Sequence, residues 1–166
     1  MDYLKISVGI LFALAASRFI PHPPNFTSLL ALSFYVPALL GIRFIPALIF
    51  GFLLTDIVIG FHNTTFFTWG SVLIIGLMSG YFANGILKRI SGALIGAVIF
   101  FILTNLGVWI TEAHGLISAS LMDTYTLAIP FFAYSLVSTF IFSSIIEIIY
   151  KFRSNNPISK YLKNNS

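Results

Sequence analysis

The chain has 166 residues, 58% of them hydrophobic, 16% aromatic and only 8% charged, with nine Lys and Arg, five Asp and Glu and no cysteine. A water-soluble domain carries about 25% charged residues, so these few charges exclude a soluble globule, a disordered chain and a nucleic-acid binder; the solvent is mostly lipid. Disulfides, thiolate catalysis and cysteine-based metal sites are excluded with the cysteines, and the net charge of +4 carries information through its position rather than its sum.

A spanning helix needs roughly 17–25 mostly apolar residues. Taken in chain order, polar or Pro-rich breaks delimit six: 4–20, 27–42, 44–61, 66–87, 91–111 and 127–150. The breaks are Pro21-His22-Pro23-Pro24-Asn25, Gly41-Ile42-Arg43, Phe61-His62-Asn63-Thr64, Lys88-Arg89 and the stretch from Thr111 to Thr126. Proline lacks a backbone donor, glycine frees the chain, and paired cations resist the hydrocarbon. The tight turn at Gly41-Ile42-Arg43 makes spans two and three a close hairpin. The expected fold is an all-α membrane protein, one bundle of six helices over residues 1–152, with a polar tail at 153–166.

Cytoplasmic termini place Lys5, Arg43, Lys88, Arg89, Lys151, Arg153, Lys160 and Lys163 inside and leave only Arg18 outside. That is the positive-inside distribution of a multi-pass protein of the bacterial inner membrane. Residues 1–16 also have the layout of a secretory signal, Lys5 followed by an apolar run and Ala13, Ala15 and Ala16. The apolar stretch continues through Phe19 and Ile20 to spanning length, which favours an uncleaved first span. Residues 114–127 interleave Leu116, Ile117, Leu121 and Met122 with Ser118, Ser120 and Asp123, predicting a short amphipathic segment on the outer surface, a lid over whatever lies beneath.

Helices in lipid associate through close packing at small residues. Gly9, Ala13 and Ser17 form such a track on the first span, Gly76 and Gly80 with Asn84 on the fourth, and Gly92 and Gly96 on the fifth. These pack the bundle itself, or, for the first track, dock a partner membrane protein. Glu147 precedes Lys151 by one helical turn, an ordinary surface pair with no function assigned.

Ionisable groups inside a membrane are costly and call for a named partner. At about 1.5 Å per residue, Arg18, Asp56 and Asn105 stand roughly 18–21 Å from the inner ends of their spans, which puts three polar groups at one depth in the outer third. The loops above add His22, Asn25, His62, Asn63, Trp69 and Trp109, while the inner two-thirds holds almost nothing polar. Arg18 and Asp56 neutralise each other at the least. The whole constellation of Arg18, His22, Asn25, Asp56, His62, Asn63, Trp69, Asn105 and Trp109 describes a polar and aromatic cup open to the outside, the expected form of a capture site for a small organic solute. The three histidines lack the short spacing of a metal site, no nucleophile–base pair is evident, and no nucleotide-binding motif is present. Metal, cofactor and catalysis are therefore not expected.

The segment Arg18-Phe19-Ile20-Pro21-His22-Pro23-Pro24-Asn25-Phe26-Thr27, with Asp56 and Gly60-Phe61-His62, and with Thr104-Asn105-Leu106-Gly107-Val108-Trp109, resembles the signatures of a family of uncharacterised small bacterial integral membrane proteins. The likeness runs over roughly residues 10–150, with Ser28 where that family commonly has proline. At a greater distance the layout is similar to the substrate-binding (S) components of energy-coupling-factor vitamin transporters. That resemblance implies six helices, cytoplasmic termini, an outward pocket for a vitamin-like or precursor-like solute, and small residues on the first helix that meet a membrane coupling subunit, with an ATPase supplied by another chain. The alternative is an accessory or scaffolding subunit of a larger membrane complex, its polar cup serving as packing.

Overall fold

The computed structural model describes residues 3–112 and 120–155, with side chains to residue 152. Among them are six helices and no strand: α1 (Tyr3–Phe19), α2 (Leu29–Leu40), α3 (Ile45–Ile59), α4 (Thr65–Met78), α5 (Ile86–Ile110) and α6 (Leu121–Asn155), with short 3-10 turns at Ile42–Phe44 and Ser79–Phe82. Successive helices run up and down, so one end of the bundle carries Arg18 and the other carries Arg89. Including the 3-10 turns, four segments among the described residues are long and apolar enough to cross a membrane: Ile42–Ile59, Thr65–Phe82, Ile86–Ile110 and Leu121–Phe152. Helix α2 has 12 residues and is about 18 Å long, well short of a bilayer's hydrocarbon core of about 30 Å.

The helix ends follow the breaks read from the sequence. Helix α1 stops ahead of Pro21, and Gly41, at φ +100°, lets the chain double back between α2 and α3 where an L side chain would be strained. Three boundaries differ from expectation, the first at the end of α4, whose helix and 3-10 turn finish at Phe82 rather than 87. Helix α5 begins at Ile86 rather than 91, which draws Lys88 and Arg89 into its first turns. Helix α6 begins at Leu121 rather than 127. The Ser120 hydroxyl donates to Asp123 Oδ2 at 2.7 Å while the Asp123 N–H donates back to the Ser120 oxygen at 3.1 Å. This reciprocal cap starts a helix, so the polar residues expected to mark a surface segment mark a helix start instead. The remainder of the expected lid, 114–119, lies outside the described residues.

Helix α2 is the hub, in contact with every other helix. One core cluster joins Leu14, Val36, Phe44, Leu48, Phe52 and Val72 from α1 to α4. A second joins Leu30, Phe34, Tyr35, Ile75, Ala93 and Ala97 from α2, α4 and α5. The expected glycine tracks divide. A Cβ on Gly92 would stand 2.6 Å from the Phe34 ring and 2.7 Å from Phe82 Cβ, and one on Gly96 3.0 Å from Ile75, whereas Gly9 and Gly80 have nothing within 4 Å. Phe34 is fully buried and has nowhere to go. Gly92→Ala is therefore expected to cost about 1–3 kcal/mol through overpacking, and Gly80→Ala to leave stability unchanged; thermal unfolding in detergent compares them.

Candidate functional site

The Arg18 end of the bundle is organised around one ion pair. Arg18, in the last turn of α1, places Nη2 2.6 Å from Asp56 Oδ1, with side chains 16% and 1% exposed. Its Nη1 donates to the Thr55 hydroxyl, which donates in turn to the backbone carbonyls of Gly51 and Phe52 at 3.1 and 3.0 Å. The guanidinium lies 5.4 Å from the centroid of the Phe52 ring. Trp69 on α4 donates its indole N–H to Asp56 Oδ2 at 2.8 Å. Each carboxylate oxygen thus faces one positive or donating group, and three helices meet at a single buried carboxylate. A charge-assisted cluster of this kind fixes the direction of Arg18.

Arg18 lines a cavity of about 480 Å³, and His22, Asn25, His62 and Asn105 of the expected set line it too. Asn25 adopts a left-handed backbone, φ +63°, and its carbonyl accepts the Ser138 hydroxyl of α6 at 3.4 Å, which ties the 21–28 loop across the bundle. The Thr65 hydroxyl donates to the His62 carbonyl at 2.7 Å and accepts the His62 N–H at 3.0 Å, holding His62 at the start of α4. Asn105 is buried and donates to the Phe101 carbonyl at 2.7 Å; among the described residues no group donates to its side-chain oxygen. Asp56 and Trp69 stand behind Arg18 and do not line the cavity. Asn63 is exposed and Trp109 is 43% exposed, both away from it.

The wall missing from the sequence reading is aromatic and comes from α5 and α6: Phe100, Phe101, Phe131, Phe132 and Ser135 line the cavity, with Phe101 and Phe132 stacked at 4.4 Å. The one legible signal was Phe131-Phe132 directly after Pro130 in a span otherwise assigned no polar depth marker. Of the first small-residue track, Ser17 is used inside the molecule, accepting the Ser28 hydroxyl at 2.7 Å. Gly9 and Ala13 remain on an exposed face.

A second polar cluster overturns two expectations at the Arg89 end. Glu147 is not a surface partner for Lys151 alone: it is buried and receives Arg89 in fork geometry, Nε to Oε1 at 2.6 Å and Nη2 to Oε2 at 2.7 Å. The Tyr35 hydroxyl of α2 donates to Oε1 at 3.0 Å, Arg89 Nη1 donates to the Ala83 carbonyl at 2.9 Å, and the Tyr150 ring lies 5.4 Å from the guanidinium. The half of the bundle away from Arg18 is therefore not apolar. Arg89 seemed to belong to a loop because it follows Lys88, yet one more turn of helix carries it inward to a carboxylate on α6.

Among the described residues no three His, Asp or Glu side chains converge. None of the curated proteins and none of the solved structures matches this chain. A family model does, over residues 2–159, and the chain belongs to that family, a family of unknown function (DUF6580).

Proposed function

We propose that this chain crosses the bacterial inner membrane six times with both termini in the cytoplasm and captures a small organic solute, vitamin-like or precursor-like, in its outward-facing cavity. It acts as the substrate-binding component of a transporter whose coupling subunit and ATPase are other chains, and it performs no catalysis. The observation that carries the reading is the cavity itself. A volume of about 480 Å³ falls in the range of small-molecule sites, and the lining combines a phenylalanine wall with polar side chains that can orient a ligand. Arg18, pinned by Asp56, and Asn105, with a spare oxygen, supply direction; Phe100, Phe101, Phe131 and Phe132 supply the apolar surface. A partly planar solute carrying hydrogen-bonding groups suits that lining.

The orientation is supported by charge: Lys5, Arg43, Lys88, Arg89 and Lys151 all fall at the end opposite Arg18, as expected for a cytoplasmic face. Helix α2, too short to cross alone, spans by virtue of the turns and helices around it. The exposed Gly9 and Ala13 on α1 give a close-packing face for a coupling subunit. The same face favours the second reading, an accessory subunit without its own ligand. Native mass spectrometry of gently purified protein separates the two: a bound small molecule is expected, and a stoichiometric protein partner with an empty cavity would overturn capture. Reporter fusions at His62 are expected outside and after Arg89 inside; a cytoplasmic His62 would turn the cavity the wrong way.

A further inference from the structure

Helix α6 carries Ser135, Thr139, Ser143 and Glu147 at a spacing of one turn, so the four share one stripe about 18 Å long. All four are buried, on the helix that packs against α5 and α2. Ser135 lines the cavity, and Glu147 holds Arg89 and Tyr35 at the far end. Between them, the hydroxyls of Thr139 and Ser143 have no hydrogen-bond partner. A serine or threonine in an apolar helix ordinarily bonds a carbonyl one turn back, and on this same helix Thr126, Ser135 and Ser144 do so. Ser143 stands beside the Tyr35 hydroxyl. Thr139 has no polar partner and Ser143 has only the Tyr35 oxygen beside it; under-satisfied hydroxyls in a packed seam are unfavourable as they stand, and they gain partners when water or a polar solute enters the seam.

We propose that the seam between α2 and α6 is a gated path that continues the cavity toward the Arg89 end, with Arg89, Glu147 and Tyr35 as its closed gate. This rests on reading the cavity as a capture site. The gate ties three helices at one carboxylate: α5 through Arg89, α2 through Tyr35 and α6 through Glu147 itself. The charged and titratable groups around that carboxylate are Arg89, Tyr35 and Tyr150, with Lys151 on the following turn. Loss of the carboxylate's charge frees Arg89 to turn toward the cytoplasmic surface and lets α6 part from α2. The row of hydroxyls then provides successive hydrogen-bonding positions for a solute that has left the aromatic cup.

The natural chain contains no cysteine, so a single introduced thiol is the sole target of a thiol reagent. Ser143→Cys in oriented membrane vesicles is treated with a membrane-impermeant trimethylammonium methanethiosulfonate, and adducts are counted by intact mass. With the native gate the thiol is expected to remain unmodified; combined with Glu147→Gln it is expected to gain one adduct, from the Arg89 face. Ala97→Cys, buried among α2, α4 and α5, is expected to stay unmodified beside Glu147→Gln. Tyr35→Phe, which removes one hydroxyl and no charge, gives a second gate variant should Glu147→Gln fold poorly, with partial modification expected. The proposal is overturned if Ser143→Cys stays unmodified in both gate variants, or if Ala97→Cys becomes reactive alongside it, which would mean general loosening. Ser135→Cys, tested from the Arg18 face, reports on the cavity separately: its failure to react counts against the capture reading and leaves the gate result to stand or fall by itself.

Discussion

Glu147→Ala is expected to be among the most destabilising single substitutions in this protein, by about 3–5 kcal/mol. Both carboxylate oxygens are engaged by Arg89, at 2.6 and 2.7 Å, and removing them strands a buried guanidinium while the Tyr35 hydroxyl loses its acceptor. The cost comes from the unpaired charge, not from a large intrinsic worth of the pair, because desolvating both ions consumes most of their attraction. The double change Arg89→Met with Glu147→Met is therefore expected to recover most of the loss, since it removes both charges and fills the space. Thermal unfolding in detergent for the two singles and the double closes a mutant cycle. Equal additive losses would mean that the two side chains do not depend on each other.

Arg18 and Asp56 form a second cycle, and here the two halves are unequal. Arg18→Ala leaves Asp56, 1% exposed, with the Trp69 N–H as its remaining side-chain donor. A charge at such depth costs at least about 2.5 kcal/mol on insertion scales. Asp56→Ala leaves Arg18 at the wall of the cavity, where water reaches it, so its penalty is expected to be smaller. The double change is expected to regain most of the stability. Solute binding then separates structure from function: if a small molecule co-purifies with the native chain, a double variant that folds but no longer retains it makes Arg18 a binding group, and full retention makes the pair structural only. Trp69→Phe removes one hydrogen bond to an ionised acceptor and is expected to cost about 1.5–3 kcal/mol.

Much of this protein was already legible as letters. The scarcity of charge and the long apolar runs pointed to an all-helical chain of membrane-spanning character, and Pro21 and Gly41 marked where helices stop, because proline and glycine act locally. Even the meeting of Arg18 with Asp56 followed from counting, since a helix rises by a constant amount per residue and groups at equal depth on neighbouring helices can meet. What counting does not give is direction around the helix axis. In a soluble helix the polar face tells which side looks outward; in lipid, core and exterior are equally apolar, so the faces of α1 and α3 carry no such mark, and the stripe of Ser135, Thr139, Ser143 and Glu147 on α6 does not by itself say which neighbour it meets. Hence only the tertiary structure decided that the short α2 is the hub, that Trp69 turns back onto Asp56, that Phe131, Phe132 and Ser135 build a cavity wall, and that Glu147 points inward to Arg89 and Tyr35. Each is a choice of azimuth, made by packing against particular neighbours.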